Sequence, residues 1–398
     1  MPIPPNTLFD EPRLKEELYR AYYEARRHKR NTLNALEFEL DLERNIERLY
    51  EEILYGIYRI SPSICFIVKD PVQREIFAAH FRDRVVHHYV INQLMPIFEN
   101  QFIHDSYSCR TGKGTMFGIK RLQKFIRSCT DNYHKKAYVL KCDISGFFMN
   151  INKQLLYRKI VELVNRKYNG WDKSLLLYLI ELIVLNDPTE KAVIKGNRSD
   201  WDGLPPNKSL YTTPKECGLP IGNLTSQVFA NYYLNDFDHY MKETLKLRYY
   251  GRYVDDFFVV HPDGRFLRSV VANAGRYLHE TVGLTLHKGK IYLQPVSKGV
   301  GFVGAYIMPF RTYPAFRVRR NFTRTVAEVS RRYQDIHFEV DRCEMKLIEA
   351  RLNSYLGICR HFRTIRLCDA LLSSLPRSFM RSYEVASDFR KVNWWRVI

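Results

Sequence analysis

Tyr253-Val254-Asp255-Asp256 places two adjacent carboxylates between two runs of β-forming residues, 247–253 and 257–260, rich in Tyr, Phe and Val. On a straight strand, neighbouring side chains point to opposite faces, so two mid-strand carboxylates cannot share one site. A tight hairpin turn at the pair removes that conflict. Two carboxylates at the tip of an apolar hairpin are costly unless a cation sits on them. Mg²⁺ suits such a place, because it takes one or two carboxylates and completes its shell with substrate phosphates. A solvated turn is the plainer alternative, since Asp is common in turns. The tetrapeptide alone leaves the two readings even.

A second carboxylate decides between them. Ala137-Tyr138-Val139-Leu140-Lys141-Cys142-Asp143-Ile144 reads as a buried strand, interrupted by Lys141 and ending on an acid. A lone Asp at a strand end is more often a cap than a ligand. Here the strand leads into Gly146-Phe147-Phe148 and a helical stretch, 153–163. If the two strands are neighbours, Asp143 faces Asp255 with Asp256 beside it. Such a cluster can hold two metals about 3.5–4 Å apart, which stabilise the attacking and leaving oxygens of an in-line phosphoryl displacement. The implied chemistry is nucleotidyl transfer.

With those residues in place the chain resembles a reverse transcriptase, with motifs in order along most of its length. Residues 69–74 and Phe81-Arg82-Asp83-Arg84-Val85-Val86-His87 resemble the fingers motifs. Residues 143–148 resemble the first catalytic palm motif, and Gly218-Leu219-Pro220-Ile221-Gly222-Asn223-Leu224-Thr225-Ser226-Gln227 the next. Gly283-Leu284-Thr285-Leu286 with Lys290 resembles a later palm motif, and Gly301-Phe302-Val303-Gly304 the primer grip. The resemblance implies an α+β right-hand polymerase fold: fingers, a palm with an antiparallel sheet, and a helical thumb. It implies RNA-directed DNA synthesis from dNTPs with two Mg²⁺ ions, for which Mn²⁺ can substitute. The metal residues it implies are Asp143, Ile144, Asp255 and Asp256, with Asp256 the less direct ligand. Nucleotide-binding residues would be Lys69, Arg74, Phe147, Phe148, Ile221, Gly222, Gln227 and Lys290. Lys69 and Arg74 match triphosphate contacts, as cations suit phosphoryl oxygens. Phe148, with Phe147 competing, matches the aromatic that excludes a ribose 2′-hydroxyl. Lys290 matches a lysine that protonates pyrophosphate, and Gly301, Phe302 and Gly304 would meet the primer.

The Ile221-Gly222…Ser226-Gln227 form, with Trp201, Leu204-Pro205 and Lys208-Ser209-Leu210 before it, resembles the enzymes of diversity-generating retroelements. Other reverse transcriptases usually carry Gln-Gly and Ser-Pro at those places. No Val-Thr-Gly of the retron kind occurs late in the chain. That subgroup implies errors concentrated at template adenines, mutagenic retrohoming, and an oligomeric, small, basic, helical accessory protein. The alternatives are an antiphage, abortive-infection or group II-like reverse transcriptase, or a non-catalytic RNA-binding protein of the same fold.

Composition agrees with a polyanion partner. The 398 residues carry 62 Lys and Arg against 43 Asp and Glu, a net charge of +19. Such an excess favours phosphate contacts, here an RNA template and RNA/DNA duplex. No apolar run reaches a membrane span and Met1-Pro2-Ile3-Pro4-Pro5 lacks signal-peptide features, so a cytoplasmic protein, bacterial, archaeal or phage-encoded, is expected. The eight cysteines are scattered, with no CxxC pair, which argues against zinc and a disulfide framework.

The segments read as an N-terminal helical region at 1–60, fingers at 61–135, palm at 136–310 and a basic thumb at 311–398. Residues 14–55 have helical spacing for one or two helices, with a basic cluster at Ala25-Arg26-Arg27-His28-Lys29-Arg30. In the polar loop 105–114, Arg110 and Lys113 are candidates to cradle template phosphates, although its glycines also suit a simple turn. Residues 187–216 have no clear period and read as a long inserted loop within the palm. Residues 231–246 are a helix candidate, and from 311 onward 18 Lys and Arg stand against 9 Asp and Glu.

Overall fold

The computed structural model describes residues 11–27, 29–69, 72–334 and 341–394. The Pro-rich start, His28 of the basic cluster, and Asp70-Pro71 of the fingers motif lie outside the described residues. The strands are β1 (Ile64–Val68), β2 (Arg74–Ala78), β3 (Tyr138–Asp143), β4 (Val193–Ile194), β5 (Tyr250–Tyr253) and β6 (Asp256–His261). Then follow β7 (Tyr292–Pro295), β8 (Val300–Phe302), β9 (Ala305–Met308), β10 (Arg311–Pro314), β11 (Tyr383–Val385) and β12 (Val392–Trp394). Contacts divide the chain into two units. The first holds Met1–Thr111, Cys142–Phe257 and Arg268–Ile291, and the second Gly112–Lys141, Phe258–Leu267 and Tyr292–Ile398.

In the first unit, helix Glu11–Arg26 lies along helix Phe81–Glu99. Leu14, Leu18, Ala21 and Ala25 are buried, and their steps of three and four residues put them on one face. The helical stretch after it holds more breaks than the spacing suggested. Helices Glu11–Arg26, Leu33–Leu40 and Leu42–Leu54 are separate, because Thr32 is extended and Asp41 leaves helical geometry at φ −136°.

β1 and β2 pair antiparallel from Ile64↔Ala78 to Val68↔Arg74, and β4 adds to β1 in parallel at Ile64↔Val193 and Cys65↔Ile194. The insertion is therefore docked on this hairpin. Glu75 anchors it: buried on β2, it accepts from Trp201 Nε1 and Ser209 Oγ on Oε1 and from the Leu210 N–H on Oε2, each at 2.7 Å. Side-chain bonds rather than a periodic apolar face order the segment, so no period marks it. Glu75→Ala leaves three donors without their acceptor and is expected to destabilise the protein by roughly 2–4 kcal/mol. Denaturant unfolding, with hydrogen exchange over residues 193–212, checks this. An unchanged midpoint and unchanged protection would contradict the anchoring role.

The four-stranded sheet has the order β5-β6-β3-β7, with β3 and β7 antiparallel from Tyr138↔Pro295 to Lys141↔Tyr292. Helix Lys153–Lys167 follows β3, capped by Asn152, whose side chain accepts from the Leu155 N–H. The helix expected over 231–246 is broken: Leu224–Tyr233 and Asn235–His239 are separate helices, and residues 240–244 form a π turn.

In the second unit β8, β9 and β10 form an antiparallel sheet. Helices Phe316–Gln334, Arg342–Cys359, Ile365–Leu372 and Arg377–Met380 enclose a core that includes Phe322, Val326, Leu352, Leu356 and Phe379. Many basic residues of this segment, among them Arg317, Arg324, Arg331 and Arg351, lie on these helices, whereas Arg311, Arg363 and Arg390 do not. The antiparallel hairpin of β11 and β12 was not legible in it. No helix among the described residues is long and apolar enough to cross a membrane.

Candidate active site

Three carboxylates and a lysine converge in the first unit. β5 ends at Tyr253 and β6 begins at Asp256, so the turn between them consists of Val254 and Asp255. Asp255 therefore sits in the turn and Asp256 is the first residue of the next strand, which spares the pair from the alternation of a straight strand. Asp143, the last residue of β3, is buried. The Ile144 N–H donates to the Asp255 carbonyl at 3.2 Å and the His287 N–H to the Asp143 carbonyl at 2.8 Å, which ties all three segments together. Lys290 donates from Nζ to both Asp143 carboxylate oxygens at 2.9 Å.

The electrostatics confirm the convergence. Burial, then the neighbouring Asp256 and Asp143 carboxylates, push the Asp255 carboxyl up to about 6, against a smaller opposing pull from Lys290. Carboxylate oxygen is the donor type that hard divalent cations take, and a cation among these groups would relieve their repulsion. In donor type and charge the residues fit a divalent metal. Among the described residues no three His, Cys, Asp or Glu side chains form a ready-made metal cage. Lys290, paired to Asp143, brings a positive charge to the group.

A second cluster lies around Gly222. Its φ is +127°, and a Cβ there would come within 2.9 Å of Ile76 and 3.3 Å of the Phe77 carbonyl. Only glycine fits. The Phe77 N–H donates to the Ile221 carbonyl at 2.9 Å. Ile221 and Phe148 both lie against a buried cluster of Cys65, Phe77, Met149 and Leu210. Phe147 is itself a core residue, 3% exposed, whereas Phe148 is half-buried with a face toward solvent. Of the two aromatics, Phe148 is the one with accessible surface. Gln227 is exposed, and its Oε1 accepts from the Cys109 thiol at 3.3 Å.

Arg74 is exposed at the start of β2. Lys69 is engaged: its Nζ donates to Asp200 of the insertion at 2.7 Å, while Gln73 donates to the Asp200 carbonyl at 2.8 Å.

Two expectations are corrected. Arg110 does not reach outward. Its guanidinium is buried, bonded to Glu99 and to the Ile103 and Ser106 carbonyls, and so braces the inside of the loop. Phe302 is also a core residue, its ring edge-on to Phe258 at 4.9 Å, so its side chain packs inward rather than toward a primer. In the second unit Gly301 and Gly304 are exposed, Gly304 with φ +86°, and Lys113 Nζ lies 5.0 Å over the Phe117 ring. Sequence reading also missed Asp200 and the buried pair Arg252–Asp238. The signal for the latter was a lone Arg inside an apolar strand.

The family model described as reverse transcriptase (RNA-dependent DNA polymerase) matches residues 69–307. Protein YkfC of Escherichia coli (strain K12) is 24% identical over 200 residues, covering 50% of this chain and 45% of YkfC. The chain thus spans about half the length of the curated relative it matches. Among solved structures, apo telomerase from Candida tropicalis aligns with a TM-score of 0.46 at 13% identity, over 81% of this chain and 61% of that one. Telomerase from Candida albicans in complex with a TWJ fragment of telomeric RNA gives 0.45 at 13%, over 83% and 58%. The family match spans more than half of the chain and contains the three carboxylates, Lys290 and the Gly222 turn: this chain belongs to the reverse transcriptase (RNA-dependent DNA polymerase) family, and its α+β architecture is the right-hand polymerase fold.

Proposed function

We propose that this chain synthesises DNA on an RNA template by transferring nucleotides from dNTPs to a primer 3′ end. The observation that carries the reading is the convergence of Asp143, Asp255 and Asp256 beside Lys290. Asp143, Asp255 and Asp256 would hold divalent metal, Mg²⁺ or Mn²⁺ in its place, with the Ile144 carbonyl beside them. When bound, the metal supplies charge stabilisation to the attacking and leaving oxygens. Lys69 and Arg74 bind the triphosphate, and Phe148 closes the volume a ribose 2′-hydroxyl would fill. Lys290 holds a proton at Nζ for the departing pyrophosphate. Lys113 contacts template, and the turn at Gly301 and Gly304 contacts primer. Lys69 must exchange Asp200 for the triphosphate, and Lys290 must loosen its hold on Asp143. Template-dependent primer extension tests the reading.

The finer assignment is to a diversity-generating retroelement, acting in the cytoplasm with an oligomeric, basic accessory protein. It is supported by Ile221 and Gln227 in place of the commoner Gln and Pro. Gln donates and accepts hydrogen bonds where Ile offers only shape. Sites that rely on apolar fit discriminate far less well than those that hydrogen-bond their substrate. Ile221→Gln is therefore expected to lower misincorporation opposite template adenine, read by sequencing the cDNA. An unchanged error rate in an enzyme of normal activity would remove Ile221 from the mechanism.

A further inference from the structure

Arg252 lies in the middle of β5, among apolar residues, with 0% of its side chain exposed. Its guanidinium is almost fully engaged. Nε donates to Asp238 Oδ1 at 2.7 Å, and Nη2 donates to Asp238 Oδ2 at 2.6 Å and to the Asn231 carbonyl at 3.1 Å. Tyr250 adds its hydroxyl to Asp238 Oδ1 at 2.6 Å. The remaining arm, Nη1, donates to the Val254 carbonyl at 2.9 Å. Backbone bonds carry the same residue into the loop at 105–107: Arg252 N–H to the Asp105 carbonyl, and Tyr107 N–H to the Arg252 carbonyl.

Val254 is the unusual partner. Its φ is +55°, a region that β-branched residues rarely adopt. Such a conformation persists where the surroundings over-determine it, and it clusters at functional sites. A two-residue hairpin turn needs a positive φ at its first position, which Asn or Gly would supply without strain. Here a valine is held there, and the residue after it is Asp255. A buried ion pair is by itself a poor source of stability, since apolar residues of similar volume often do as well. A geometric duty explains its presence better.

We propose that Arg252 is a positioning residue for Asp255. Clamped by Asp238 and Asn231, it grips the Val254 carbonyl and fixes the Val254-Asp255 turn in the conformation that sets Asp255 beside Asp143. The proposal rests on the reading of Asp255 as a reactive carboxylate. Lysine at 252 would neutralise Asp238 but, as a point charge on a flexible stem, could not span Asp238, Asn231 and Val254 together.

The test compares Arg252→Lys, the charge-free pair Arg252→Gln/Asp238→Asn, and each of these combined with Val254→Gly. The paired variant leaves no buried charge uncompensated, so it serves if Arg252→Lys folds poorly. With fold checked by thermal melting and template–primer affinity held near the parent, kcat is expected to fall about 10–100-fold while KM for dNTP changes little. Mn²⁺ binding to the enzyme alone, followed by electron paramagnetic resonance of the unbound ion, should weaken in parallel. Glycine takes a positive φ without a Cβ penalty, so Val254→Gly should restore much of kcat and of Mn²⁺ affinity in either background. Parental kcat and Mn²⁺ affinity in the folded variants would overturn the proposal. So would losses that Val254→Gly leaves untouched. Asp255→Asn separates the two levels: if it polymerises normally the functional reading fails, and if it is inactive while the Arg252 variants are normal only the positioning role fails.

Discussion

Asp255→Asn is expected to leave a folded, RNA-binding protein that extends primers at least ~10³-fold more slowly, because phosphoryl transfer is almost wholly positioning and charge stabilisation. Asn keeps the shape of Asp but removes the charge on which a divalent cation depends. The fold should tolerate the change. Asp255 is crowded by the Asp256 and Asp143 carboxylates, so removing one of three like charges relieves repulsion, and melting without metal should be unchanged or higher. Asp143→Asn should show the same loss and also release Lys290, whose ammonium now spans both carboxylate oxygens. Single-turnover extension rates measure the loss, and melting curves the tolerance. Wild-type-like extension by Asp255→Asn would remove this residue from the chemistry.

Phe148→Ala is expected to relax sugar selection by roughly 10–200-fold, the range that lost apolar contacts command in a pocket. The argument is steric: a ring filling the volume beside the sugar makes a 2′-hydroxyl clash. Phe148 is the half-buried aromatic, T-shaped against the core Phe147 at 5.5 Å. It also rests on the Phe77, Met149 and Leu210 cluster, so truncation should cost some stability and some dNTP activity. The ratio of kcat/KM for dNTP to that for rNTP is the readout. If Phe147→Ala relaxed the ratio and Phe148→Ala did not, the gate would lie one residue earlier and act through the core.

What was legible follows a physical pattern. Asp143, Asp255 and Asp256 stood out as a set: the first ends an apolar strand and the other two lie at the tip of an apolar hairpin, where carboxylates brought together are costly without a cation. Gly222 was singled out by its motif as nucleotide-binding, whereas its close backbone approach to Phe77 emerged only in the fold. Arg110 was misjudged and Arg252 was overlooked. Arg110 stands in a polar, Gly-bearing loop and reads as available, yet Glu99 and two carbonyls draw it inside. Arg252 stands among Tyr and Val and drew no reading, yet its guanidinium bonds to the Val254 carbonyl beside Asp255. Local composition does not reveal which distant acceptors the fold brings to a guanidinium. The insertion was opaque for a related reason, since Glu75 and Gln73, more than a hundred residues away in sequence, hold it.

The central claim is RNA-templated DNA synthesis by the Asp143–Asp255–Asp256 site. It is tested most directly by offering the purified chain a primer annealed to an RNA template, with dNTPs and Mg²⁺. DNA products that grow to the template end, stop at the position of any omitted dNTP, and vanish in Asp255→Asn are the predicted result. A folded, RNA-bound parent protein that adds no templated nucleotide with either Mg²⁺ or Mn²⁺ would contradict it.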